Sequence, residues 1–292
     1  MPDHNPFAGQ PILVTGATGF IGSHLCRALS RSGAAVHAVS RTRRGDDGAH
    51  WWQADLTDIA TVRKLVHAVQ PAVIFHLSGH VTAAPHLNLV LSTFESHVIS
   101  TVYLLTAATE LGCRRLVLTG SLTEPNNANS AASSPYAAAK VTSSTYGRMF
   151  HALYKTPVTI VRPFMAYGPM QDPQKLVPYV TLSLLRGETP KLASGQWPAD
   201  WVYIDDVIDG FLAAAQVRGA QGCTIDLGSG VMTPVRTVVN HIVELVGGTI
   251  APSFGALPDR PAEEVKLADP AYAQAKIDRR AATLLVEGLQ RT

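Results

Sequence analysis

Residues 11–22 read Pro11-Ile12-Leu13-Val14-Thr15-Gly16-Ala17-Thr18-Gly19-Phe20-Ile21-Gly22. The first five make a short apolar run rich in β-branched residues, the pattern of a strand buried on both faces. Glycines recur at 16, 19 and 22, and an amphipathic stretch from Phe20 to Ser32 ends at the helix-stopping Gly33. Gly16 permits a tight turn, Gly19 lets the backbone approach a pyrophosphate, and Gly22 lets helix and strand pack closely. The helix start offers free N–H groups and a positive dipole end to phosphates. A glycine triplet alone is a weak signal, but between a strand and a helix it predicts a dinucleotide-binding unit.

Outward from this turn, strands and helices alternate. Strands are read at 35–40, 51–54, 72–77, 115–119 and 156–162, with one more near 223–227. Helices are read at 56–69, from past 77 through Glu110, and at 135–154, where Pro135 takes the first helical position. This rhythm predicts an α/β, doubly wound parallel sheet of the Rossmann type, covered on both faces. After Pro163 the rhythm breaks, and proline, glycine and aromatic residues become frequent. The expected division is a dinucleotide-binding domain of residues 1–164 plus about 199–232, and a small α/β substrate lobe of about 165–198 and 233–292. The polar stretch 126–134 reads as a mobile loop.

Of the 292 residues, 46% are hydrophobic and 16% charged, with a formal net charge of +2. That balance suits a globular enzyme for a small-molecule substrate and argues against nucleic-acid binding driven by bulk charge. Cys26, Cys113 and Cys223 lie far apart and read as buried free thiols of a reducing compartment. No unbroken apolar run reaches the ~20 residues of a membrane span, and residues 1–10 lack a signal-peptide pattern. A cytoplasmic location is expected. His76, His80 and His86 are spaced as metal ligands sometimes are, but no cysteine or carboxylate completes a site, so no metal is expected.

Tyr136-Ala137-Ala138-Ala139-Lys140 puts a phenol and an ammonium on one helix face, one turn apart. A nearby ammonium favours phenolate and moves the phenol toward the working pH. Ser121, just past a strand, lies at the carboxyl edge of the sheet, where its hydroxyl is placed to hold a substrate oxygen. At the tip of the second strand, Ser40-Arg41-Thr42-Arg43-Arg44 offers guanidinium groups where an acidic residue would bind a ribose 2′-hydroxyl. NADP(H) is therefore predicted over NAD(H). Asp55 reads as a neighbour of the adenine edge or a helix cap, and Asp205-Asp206 as caps of the helix they begin.

The chain resembles an extended short-chain dehydrogenase/reductase, the group of nucleotide-sugar epimerases, dehydratases and ketoreductases. TGATGFIG (15–22), DLTD (55–58), FHLSG (75–79), SPYAAAK (134–140), VRPFMAYGP (161–169), DWVYIDDV (200–207), DLGSG (226–230) and DRP (259–261) carry the resemblance in order. It implies Ser121, Tyr136 and Lys140 as catalytic residues. It implies a dinucleotide held by Gly16, Thr18, Gly19, Phe20, Ile21, Gly22, Ser40, Arg41, Arg43, Asp55, Leu56, Leu77, Ser78, Gly79, Thr119, Tyr136, Lys140 and Pro163. The substrate would meet Ser121, Thr123, Met165, Lys175, Trp197 and Arg260, and a homodimer would pack through helices near 88–110 and 136–154.

Three departures shape the expected activity. Dehydratases of this group carry Asp-Glu directly after the catalytic hydroxyl residue; here Leu122 and Thr123 stand there, with Glu124 one place out of register. Met165 and Ala199 replace the Asn and Arg that grip the diphosphate, and His97 replaces an Asn beside the nicotinamide. The expected function is an NADPH-dependent ketoreductase of a nucleotide-activated deoxy-ketosugar. The alternatives are a nucleotide-sugar 4-epimerase with tightly bound NAD, or a reductase of a less polar ketone.

Overall fold

The computed structural model describes residues 5–42, 48–125, 130–248, 250–259 and 265–292. The chain opens with β1 (Pro11–Thr15), α1 (Phe20–Arg31), β2 (Ala35–Ser40), β3 (His50–Gln53), α2 (Ile59–Val69) and β4 (Val73–His76). A continuous helical run follows: a 3-10 turn at Leu87–Leu89, α3 (Val90–Thr93), a π-helical segment at Phe94–Ile99, and α4 (Ser100–Leu111). Next come β5 (Arg115–Thr119), α5 (Pro135–Tyr154) and β6 (Val158–Pro163). The later part holds β7 (Met165–Tyr167), α6 (Leu176–Leu185), β8 (Lys191–Leu192), β9 (Pro198–Tyr203), α7 (Ile204–Gln216), β10 (Thr224–Leu227), β11 (Met232–Pro234), α8 (Val235–Val246), β12 (Ser253–Phe254), α9 (Pro270–Ile277) and α10 (Leu285–Gln290).

Seven strands form one parallel sheet in the order β10-β6-β5-β4-β1-β2-β3. This is the expected doubly wound Rossmann-type fold. Thr15 pairs with Val39 on one side and His76 on the other, so strand order reverses at β1 and β4. Ligands of such sheets bind at that reversal, beyond the carboxyl ends of the strands. Alternation along the strands explains the two covered faces. Ile12, Val14, Phe75 and Val117 join Leu25 and Phe211 in one core, while Leu13, Ile74, Leu116 and Leu118 join Leu104 and Phe150 in the other. Each such side chain contributes about 1.5–3 kcal/mol by leaving water. Arg115 ties β5 to the end of α7 by donating to the carbonyls of Ala214 (2.8 Å) and Val217 (3.0 Å), where a cation complements the helix dipole. Beyond the main sheet, β9 joins β7 in parallel and β11 antiparallel, and β12 pairs with β8.

Some expectations shift. α2 starts at Ile59 rather than Leu56, because Asp58 caps it, accepting from the Ala60 and Thr61 amides. Asp205 and Asp206 do not cap α7, whose cap position is Tyr203. Asp206 instead accepts from the Ala282 and Thr283 amides, and Asp205 pairs with Arg291 at 2.7 Å, so both hold the C-terminal segment. The three cysteines are half-buried rather than buried. The helical run Leu87–Leu111 is long and apolar enough by composition to cross a bilayer; here it packs along the sheet, with Leu104 and Leu105 in the core.

Candidate functional site

The turn after β1 is built as its glycines demand. Gly16 sits at φ +68°, and a Cβ there would lie 2.6 Å from the Leu77 carbonyl. A Cβ on Gly22 would lie 2.1 Å from the Gly16 oxygen, so Gly22 is needed to pack against the turn itself. Gly19 is the cap of α1 and has no side chain to occupy the first-turn amides of Phe20 and Ile21. Leu77, Ser78 and Gly79 follow β4 directly, across the strand-order reversal from this turn. The cradle therefore fits a pyrophosphate.

At the other end of the crevice, Thr42 donates its amide to Ser40 Oγ (3.2 Å), and the Arg41 carbonyl accepts from Gln53. The Arg41 side chain is exposed. Arg43 lies outside the described residues. Asp55 caps nothing; it accepts from the amide and hydroxyl of Thr57 at 2.9 and 2.8 Å. Leu56 is buried beside it.

The reacting groups converge where β5 and α5 meet. Ser134 caps α5 by accepting from the Ala137 amide (3.2 Å), which sets Tyr136 in the first turn. The Tyr136 phenol is hydrogen-bonded to the Ser121 side chain, and Ser121 Oγ lies 2.9 Å from Thr123 Oγ1. Lys140 Nζ donates to the Thr119 carbonyl (2.8 Å) and stands 5.8 Å from the Tyr136 ring centre. Thr119 Oγ1 is buried without a hydrogen-bond partner among the described residues. Pro163 closes β6, and Phe164 after it donates its amide to the Leu227 carbonyl of β10.

The chain's own electrostatics differ from expectation. Burial pushes the Tyr136 phenol up to about 12; the Ser121 bond opposes this and the Glu124 charge adds to it. Burial, not the Lys140 ammonium, is the largest cause of the phenol's shift; that ammonium donates to the Thr119 carbonyl. Burial pushes Lys140 down to about 8, with Glu124 opposing. His97 comes from the π-helical segment, meets the Tyr136 ring edge-on at 5.3 Å, and bonds the His80 carbonyl through Nε2 (3.0 Å). Burial holds it near 3, hence neutral. Gly79 has no room for a side chain, since a Cβ would lie 1.9 Å from that imidazole. His76 is a satisfied core residue, bonded to Thr15 (2.7 Å) and Thr101 (3.1 Å). Among the described residues no group of three histidine, cysteine or carboxylate side chains could hold a metal ion.

Glu124, out of register in sequence, turns its carboxyl to the Ser121 amide (2.7 Å) and the Ser144 hydroxyl (3.0 Å). Ser144 and Lys266 were not singled out from sequence; the Lys266 ammonium donates to the Glu124 carbonyl. The local signal was the Ser-x-x-Glu spacing of 121–124, whereas Lys266 is 142 residues from its partner. Of the other substrate candidates, Met165 lies half-buried in β7 and Lys175 is exposed at the start of α6. Trp197 packs on the core with its Nε1 buried and unpartnered among the described residues. Arg260 lies outside them.

Residues 12–228 match the NAD dependent epimerase/dehydratase family. The chain belongs to that family. A UDP-glucose 4-epimerase of Mycolicibacterium smegmatis is 32% identical over 83% of this chain and 84% of its own length. A dTDP-glucose 4,6-dehydratase of Streptomyces griseus is 29% identical over 81% and 78%. Among solved structures, the UDP-glucose 4-epimerase of Thermotoga maritima with UDP-glucose superposes with a TM-score of 0.88 at 25% identity, covering 96% of each chain. MoeE5 in complex with UDP-glucuronic acid and NAD gives 0.85 at 27% identity, covering 96% of this chain and 97% of that one. The chain is thus an enzyme of the NAD dependent epimerase/dehydratase family.

Proposed function

We propose that this family member is a nucleotide-sugar 4-epimerase that keeps its nicotinamide dinucleotide through the catalytic cycle. The observation that carries this is the meeting of Ser121, Tyr136 and Lys140 with no carboxylate at 122 or 123. Leucine and threonine there cannot expel water as an acid-base pair would, which argues against the dehydratase activity of the Streptomyces relative. The epimerase names among the relatives favour this reading over the ketoreductase reached from sequence.

When bound, the dinucleotide supplies the carbon that accepts and returns a hydride. The chain's own residues handle the proton. Ser121 Oγ holds the sugar oxygen; Tyr136, as the phenolate that the positive ring of a bound dinucleotide would favour, takes its proton and later returns it; and Lys140, brought down to about 8 by burial, relays the phenol's own proton. The first-turn amides of α1 hold the pyrophosphate. Residues of about 165–198 and 233–292 would supply the lobe over the sugar nucleotide, and Met165, Lys175 and Trp197 are its substrate candidates among the described residues. With Met165 and the buried Ala199 where polar groups would grip a diphosphate, Lys175 and Arg260 carry more of that binding.

A second reading, the NADPH-dependent ketoreductase, is favoured by one feature: the described tip of β2, Ser40-Arg41-Thr42, presents no carboxylate to repel a 2′-phosphate. A cytoplasmic homodimer suits either reading. Purified protein is denatured and the released dinucleotide identified, then native protein is given UDP-glucose and UDP-glucuronic acid separately. Stoichiometric NAD and 4-epimerised product support the epimerase, while Tyr136→Phe lowers turnover about 10²–10⁴-fold. Protein released free of dinucleotide that consumes NADPH with a 4-ketosugar would establish the ketoreductase instead.

A further inference from the structure

Glu124 is 2% exposed, and the proton chemistry proposed above does not use it. It closes the turn after β5, its amide donating to the Ser121 carbonyl at 3.2 Å. Its carboxyl oxygen Oε1 takes the Ser121 amide at 2.7 Å and the Ser144 hydroxyl of α5 at 3.0 Å. The chain makes room for that oxygen: a Cβ on Gly120 would lie 2.5 Å from it and 2.7 Å from Arg162 Cγ.

A buried carboxylate is costly unless it is bonded and balanced. The charged groups around this one come from every element packed on it. Arg162 of β6 acts on it, itself held by Asp226 of β10 at 2.6 and 3.1 Å. Lys140 of α5 acts on it too, and Lys266 reaches its backbone from the C-terminal segment. Burial raises the Glu124 carboxyl and these cations oppose the rise. In return, Glu124 holds both Tyr136 and Lys140 more strongly protonated. His76 and His97, the other titratable groups facing Lys140, are neutral through burial.

We propose that Glu124 is a positioning residue of this site: its carboxylate pins the Ser121 amide, and with it the Ser121 hydroxyl, against Tyr136, and supplies the buried negative charge against which Tyr136 and Lys140 trade their proton. Glu124 faces the backbone behind the hydroxyl, through the Ser121 amide and the Ser144 hydroxyl. The inference rests on the reading of Ser121, Tyr136 and Lys140 as the reacting groups.

Glu124→Gln keeps the shape and a carbonyl acceptor but removes the charge; Glu124→Asp keeps the charge and loses the reach to Ser121. The dinucleotide-loaded enzyme, labelled with carbon-13 at lysine Cε, is titrated by NMR, with Lys140→Met assigning the Lys140 signal. Glu124→Gln lowers the Lys140 midpoint by about half a pH unit or more, and the pH profile of turnover moves the same way. Glu124→Asp leaves that midpoint in place and lowers kcat roughly tenfold with KM unchanged. A Lys140 midpoint that does not move in Glu124→Gln, or that moves equally in Glu124→Asp, overturns the proposal. If Glu124→Gln does not fold, the kcat and KM split of Glu124→Asp decides: an unchanged kcat overturns it. The titration needs no sugar, so a shifted midpoint in protein that turns over neither UDP-sugar sustains Glu124 while sinking the epimerase reading.

Discussion

Burial moves the Lys140 ammonium from its ordinary 10.5 down to about 8, a displacement worth about 3 kcal/mol against folding. Its bond to the Thr119 carbonyl (2.8 Å) returns about 1 kcal/mol. The sign follows from linkage: the unfolded chain holds this proton more tightly, so the cost is fully present below pH 8 and disappears above the ordinary lysine value. Lys140→Met is therefore expected to raise stability at neutral pH by about 2 kcal/mol, read as a higher urea midpoint, while turnover falls about 10²-fold or more. A midpoint that drops would mean that the Thr119 bond outweighs burial. The same residue shows how far sequence carries. The four-residue spacing placed Tyr136 and Lys140 on one face, because helix period is a local property. It did not reveal that the ammonium bonds a strand carbonyl 21 residues earlier, because that is set by how β5 packs on α5.

At the scale of elements, local signals were read well where the chain must obey them alone. The glycine turn is the clearest case, since Gly16 and Gly22 answer to contacts within or beside the same turn. The starts of α1 and α5 were read correctly and that of α2 was not. Asp55 and Asp58 both suit a cap, and only the backbone path shows that Asp58 takes the amides of α2 while Asp55 holds Thr57. The π-helical segment Phe94–Ile99 left no mark in apolar spacing, yet it delivers His97 to Tyr136. A test at this scale is Gly22→Ala. The added methyl would lie 2.1 Å from the Gly16 carbonyl oxygen, which is backbone and cannot turn aside. The expected cost is about 1–3 kcal/mol of stability together with at least about tenfold weaker dinucleotide binding by calorimetry. Unaltered binding would show that the turn does not hold the pyrophosphate.

At the scale of the whole molecule, two neighbouring helical elements carry exposed apolar side chains. Leu87, Leu91 and Phe94 are exposed on the run that begins at Leu87, and Tyr146, Leu153 and Tyr154 on α5. Such adjacent exposure on two helices suits a partner surface, and two copies meeting there give the proposed homodimer. The parent protein should sediment at twice the chain mass, and Leu91→Glu with Phe94→Glu should sediment as the monomer; a parent that sediments as one chain removes the proposal. Acid stability is a second property of the whole chain. His76 and His97 are held near 3 by burial, against an ordinary 6.5. The folded state thus carries them neutral, while the unfolded chain takes up protons below 6.5. Their stabilising contribution is intact above that pH and is lost as pH falls toward 3, at about 1.4 kcal/mol per pH unit for each imidazole. Between pH 7 and pH 5 the loss of stability, followed by urea unfolding, should be smaller by about 2 kcal/mol in His97→Asn than in the parent, because asparagine has no proton to gain. Equal losses in the two proteins would mean that water reaches His97 in the folded state, and that the edge of the Tyr136 ring does not shield it.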